Sequence, residues 1–127
     1  MTKFHHHKLP EFNSSRRLSG PNVLSGRSPS AGFGFKSDDL QIIYNFTDYN
    51  WAGENGERPH YHTQSDECFI VLQGKLTVEV EGELFDVVER EFCCFPKGVW
   101  HAIKQIHSPI EMLVIRAPSV QDKVYGA

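Results

Sequence analysis

GERPHYHTQSDECFIVLQGKL, residues 56–76, opens polar and crowded and then passes into an apolar run closed by a glycine. In an extended strand residues i and i+2 project to the same side. His60 and His62 therefore point together, and Tyr61 points away. Glu67 opens the next apolar strand and reaches the same interior after the short turn TQSD. Two imidazoles and a carboxylate arriving from neighbouring strands make a partial shell for one divalent transition metal such as Fe, Mn, Ni, Zn or Cu. A His-x-His pair alone carries little weight, because histidines on strands are more often surface or hydrogen-bonded core residues. The glutamate strengthens the case, and a fourth donor completes it.

That donor lies in REFCCFPKGVWH, residues 90–101. Pro96 and Gly98 form a turn between two strands, and His101 opens the second. The four candidate metal ligands are therefore His60, His62, Glu67 and His101.

The surrounding pattern has period two throughout. LQIIYNF places Leu40, Ile42, Tyr44 and Phe46 on one face and Gln41, Ile43 and Asn45 on the other. CFIVLQ reads as a short buried strand, and KLTVEVEG alternates with Leu76, Val78 and Val80 on one side. Gly74-Lys75 and Glu81-Gly82 read as tight hairpin turns. ELFDVV, EFCCF, HAIKQI and IEMLVIRA supply further strands at the spacing of a sandwich or barrel. No window of ten residues has helical periodicity, so the fold class is all-β.

With these residues in place, the chain resembles the cupin superfamily, specifically its small single-domain members. The family's first motif is roughly G(x)5HxH(x)3,4E(x)6G, matched by His60, His62, Glu67 and Gly74. The second is roughly G(x)5PxG(x)2H(x)3N, matched by Pro96, Gly98 and His101. Three positions depart from it: Glu54 and Arg90 stand where glycines are expected, and Gln105 stands for the closing asparagine. The resemblance covers about residues 33–118. It implies a cupin-type antiparallel β-barrel (a double-stranded β-helix, or jelly roll) with a mononuclear 3-His/1-Glu site inside near one mouth. It further implies an enzyme of dioxygenase, isomerase or lyase type acting on a small oxygen-rich anion. The alternative is a non-catalytic cupin that binds a sugar or small acid.

The remaining expectations are coarser. The 127 residues suffice for one core and not two. Residues 1–32, rich in Ser, Gly, Pro and Arg, read as a flexible arm in which His5, His6 and His7 form a mobile tail or tag remnant; residues 33–118 form the barrel, and 119–127 a C-terminal tail. A net charge of -3, with Arg16, Arg17 and Arg27 scattered along the arm, argues against a nucleic-acid partner. No apolar stretch reaches the length of a membrane span. Three cysteines, an odd number, argue against a disulfide framework and for a reducing cytoplasm; Cys68, Cys93 and Cys94 read as unpaired, with Cys68 turned away from the metal. Tyr44, Phe46, Phe69, Phe95 and Met112 are candidates to line the pocket, Arg58 and Gln64 to meet an anion, and Lys97 and Trp100 to flank the turn. A strand-like segment with Phe33 and Phe35 suits covering the sheet edge of a neighbouring copy, which suggests a homodimer.

Overall fold

The computed structural model describes residues 4–9, 23–30, 34–47, 51–52 and 57–126. The expectations placed on Arg16, Arg17, Phe33 and Glu54 lie outside the described residues. Within them there is no α-helix, and ten strands make up the fold. These are β1 (Val23–Gly26), β2 (Phe35–Lys36), β3 (Gln41–Thr47), β4 (Trp51–Ala52), β5 (His60–His62), β6 (Asp66–Val80), β7 (Glu83–Val88), β8 (Phe92–Phe95), β9 (His101–Ala117) and β10 (Lys123–Tyr125).

Two long antiparallel strands, β6 and β9, organise the molecule. Their ladder slips between Val71 and Lys75 and again between Thr77 and Val78, and such bulges bend a strand. Each strand therefore contributes to two walls. The first half of β6 pairs with the second half of β9, flanked by β8 on one side and by β3 and β1 on the other. The second half of β6 pairs with the first half of β9, flanked by β7 and β5. Phe69, Val71, Phe95, Ile110, Met112 and Val114 from the first wall meet Leu76, Val78, Val87, Ile103 and Ile106 from the second in one core. Removing the side chain of Leu76 or Ile106, neither of which is exposed at all, costs about 2–5 kcal/mol.

Gly74-Lys75 is not a hairpin, which corrects the sequence reading. The chain continues through it as β6, with Gly74 at φ +89°, and a Cβ there would overlap the Pro109 carbonyl oxygen. A glycine needed for close backbone approach looks in sequence like one needed for a turn. Glu81-Gly82 is the expected hairpin, both residues having positive φ and joining Val80 to Glu83. HAIKQI and IEMLVIRA likewise form one strand, β9.

The described strands extend beyond 33–118 at both ends. β1 lies in the segment read as an arm and pairs with β3 and β2, and His5 packs edge-on against Phe35. β10 lies in the segment read as a tail and pairs with β5.

The three cysteines are not all free, a second correction. Cys68 and Cys94 are register partners on β6 and β8 and form a disulfide, leaving Cys93 free. Alternation from Glu67 puts both on the outer face of their wall. Sequence reading considered the adjacent pair Cys93-Cys94, whereas the pairing runs across strands.

Candidate metal centre

The four residues expected as ligands come together. Each offers one donor atom, all four atoms lie within 4.8 Å of one another, and the residues are 1–6% exposed. β5 supplies His60 and His62 with Tyr61 turned outward, β6 supplies Glu67 from its second position, and β9 supplies His101 from its first. His60 is the register partner of His101. The Gly98 amide donates to the His62 carbonyl at 2.8 Å, which ties the Pro-x-Gly turn to the His-x-His strand.

What surrounds each imidazole decides what it can do. His60 Nδ1 lies 3.0 Å from the Arg58 carbonyl, His101 Nδ1 2.9 Å from the Val99 carbonyl, and His62 Nδ1 3.0 Å from Asp122 Oδ1. All three neighbours accept hydrogen bonds only, so each Nδ1 is the protonated nitrogen. Nε2 is then the nitrogen each ring turns toward a metal, the arrangement that orients a histidine as a ligand; in His101 it shares a proton with Glu67 that a bound ion would replace. His62 Nε2 is buried with no hydrogen-bond partner among the described residues. An orphaned buried acceptor of this kind is costly unless something binds it. His101 Nε2 lies 2.8 Å and His62 Nε2 3.5 Å from Glu67 Oε1. The donor set fits a borderline divalent ion.

The electrostatics agree. Burial raises the Glu67 carboxyl, but the His101 hydrogen bond and the neighbouring His62 ring outweigh it and hold it well below the usual carboxylate range. Burial drives His60 down to about 4, so its imidazole is neutral at neutral pH. For Asp122, burial is outweighed by the amides of Gln64 and Ser65, the Ser65 hydroxyl and His62, which bring it down to about 2. Burial also raises Glu57, whose Oε1 accepts from the Ile103 amide at 3.1 Å and lies 3.8 Å from His60 Nδ1.

Around the ligands, Phe95 lies flat on His101 with ring centres 4.1 Å apart, and Phe69 packs edge-on against Phe95. Both therefore border the site, while Met112 is part of the core. Tyr44 and Phe46 do not reach it. Ile110, Met112, Val114 and Arg116 are the buried positions in the second half of β9, so Glu111 faces outward. Tyr44 donates to Glu111, and Phe46 is its register partner. Arg58 is engaged with the Gly126 carbonyl at 2.7 Å and the Tyr125 ring. Gln64 contributes its backbone amide to Asp122, Lys97 its amide to Asp66, and Trp100 packs on Tyr61. Asp122 and Arg116 escaped the sequence reading. Asp122 stands in a stretch without periodicity, and Arg116 closes a strand as an ordinary end charge would.

A cavity of about 620 Å³ opens between β7 and β8, lined by Val78, Phe85, Val87, Phe92, Phe95 and Val99 among others. None of the four ligands lines it. The Phe95 ring stands between the cavity and His101.

Residues 51–116 match the family described as the Cupin domain. An uncharacterized protein of Aquifex aeolicus (strain VF5) is 34% identical over 70 residues, which is 55% of this chain and 58% of that protein's length. The matched region thus spans little more than half of that relative. KdgF from Halomonas sp. superposes with a TM-score of 0.55 at 22% identity, over 65% of this chain and 72% of the other. A Streptomyces PAC13 variant with uridine superposes with a TM-score of 0.66 at 11% identity, over 99% and 92%. At these identities both structures speak for a common fold alone.

Proposed function

The chain belongs to the cupin family, and on that footing we propose that it is a metal-dependent enzyme acting on a small oxygen-rich anion, by chemistry of the dioxygenase, isomerase or lyase type. One observation carries the reading. Three imidazoles have their Nδ1 positions tied back by acceptors, so three Nε2 atoms converge with the Glu67 carboxylate, within 4.8 Å of one another. When bound, a divalent transition metal supplies Lewis acidity toward a chelating carboxylate, enolate or hydroxy-ketone and lowers the pKa of a water.

The chain's own residues do the rest. His60, His62, Glu67 and His101 hold the ion, and Asp122 fixes the His62 ring. Phe95 and Phe69 cover one side of the site and keep water from it. A homodimer belongs to the same proposal: among the described residues β7 pairs only with β6, and Leu84, Phe85 and Phe92 are exposed beside that edge.

The test is a metal-loaded sample incubated with a panel of hydroxy acids, keto acids and sugar acids, with products followed by NMR. Conversion of a panel member by the loaded protein, absent from the metal-free protein and from His62→Ala, supports the enzyme reading. A ligand bound tightly and returned unchanged would make the protein a binding module.

A further inference from the structure

Across the first wall, Gln41, Arg116, Glu67 and Phe95 are successive register partners on β3, β9, β6 and β8. Directly opposed residues share a face, so Arg116 stands inside the barrel beside a candidate ligand. Its side chain is 10% exposed. Nη2 donates to Gln41 Oε1 at 3.2 Å. Nη1 lies 3.8 Å from Glu67 Oε2, beyond hydrogen-bond reach. Nε is buried and has no hydrogen-bond partner among the described residues.

A guanidinium kept only to brace Glu67 would form the two-pronged pair that its geometry favours. This one does not, and it leaves a buried N–H unmet, which carries a real cost. Glu67 already has His101 Nε2 at 2.8 Å from its Oε1. Of the other cations near the ligands, Arg58 donates to the Gly126 carbonyl and Lys123 lies over the Tyr125 ring.

Resting on the function proposed above, we infer that Arg116 is the anion-recognition residue of the site, and that the substrate carries a carboxylate. Its free Nε–H and a neighbouring N–H match the two oxygens of a planar carboxylate. The hydroxyls of an uncharged sugar accept hydrogen bonds too, but without the charge and the planar two-oxygen fork. Arg116 is thus a specificity determinant lying next to the metal ligands.

Calorimetry with malonate and its uncharged analogue malonamide tests this on zinc-loaded and metal-free protein, for wild type, Arg116→Gln and Arg116→Lys, with zinc content measured in each. The expected result is wild type preferring malonate. Arg116→Gln should lose at least about tenfold in malonate affinity at unchanged zinc content and melting temperature, and Arg116→Lys should recover part of the loss. The inference is overturned if Arg116→Gln binds malonate like wild type, or if wild type does not discriminate. It is also overturned if Arg116→Gln loses its zinc, since the arginine would then be a support for Glu67. A wild type that takes up no zinc yet loses malonate on Arg116→Gln would uphold this inference and sink the metal-dependent reading.

Discussion

The two carboxylate oxygens of Asp122 meet His62 Nδ1, the Gln64 and Ser65 amides and the Ser65 hydroxyl, all at 2.8–3.0 Å. Removing an acceptor shared so widely strands several buried donors. Asp122→Ala should therefore weaken zinc binding about 10–100-fold, as read by competition with a chelator. The pH dependence has a definite sign. The folded carboxyl is depressed from 3.8 to about 2, so its contribution is present above pH 4 and lost as pH falls through about 2. In metal-free protein, urea titrations should show Asp122→Asn less stable than wild type by about 2 kcal/mol at pH 6, with the gap closing toward pH 2. A gap that does not vary with pH would refute this. A second expectation concerns Cys93, whose thiol burial raises to about 11; it should react with maleimide at pH 7.5 far more slowly than a free thiol. His60 and His62 are legible because a strand's period of two states which side chains share a face, and Glu67 and His101 because their spacing to Gly74 and to the Pro96-x-Gly98 turn matches the cupin motifs. Asp122 is not, because its approach depends on β10 pairing with β5, a contact between segments 60 residues apart that no local pattern encodes.

Strand positions were legible where alternation was clean, as in ELFDVV, which became β7 at the expected residues. Strand continuity was not. A bulge glycine and a turn glycine look alike until the neighbouring backbone is in place, so β6 read as two strands; β9 did so because Ser108-Pro109 interrupts its apolar pattern. In β3 the face reading Leu40, Ile42, Tyr44, Phe46 turns outward, because Gln41 and Asn45 stand opposite the buried Arg116 and Met112. The more apolar face was the natural choice for the interior, and Phe4, Leu9, Leu24 and Phe35 beside Leu40 and Ile42 explain why an outer face carries it. The departure from the family's second motif at Arg90 now has a physical reading. Arg90 occupies the left-handed region at φ +69°, where a side chain costs about 1–2 kcal/mol, partly offset by glycine's greater unfolded freedom. Arg90→Gly should stabilise the protein by about 0.5–1 kcal/mol in denaturant melts. Gly74→Ala should do the opposite by about 2–4 kcal/mol, since it adds a clash with Pro109 to the strain at φ +89°.

At the scale of the molecule, the two bent strands turn one ladder into two facing walls, and the ligands gather where β5, β6 and β9 meet. The Cys68–Cys94 disulfide ties β6 to β8 on the outside of the first wall, one residue from Glu67 and one from Phe95. Closing a loop of 26 residues contributes about 3 kcal/mol in the chain-entropy view. Reduction should lower the denaturation midpoint accordingly, and an unchanged midpoint would show that the bridge does not limit the unfolded chain. The central claim is that four residues from three strands hold one transition metal. Its most direct test is metal content by mass spectrometry, on protein purified without a metal column, for wild type and His101→Ala. Both samples retain His5, His6 and His7, so only the interior site differs. Wild type should carry about one transition metal per chain, and the variant should lose it. A wild type that is metal-free and takes up none of Fe, Mn, Ni, Zn or Cu when offered would contradict it.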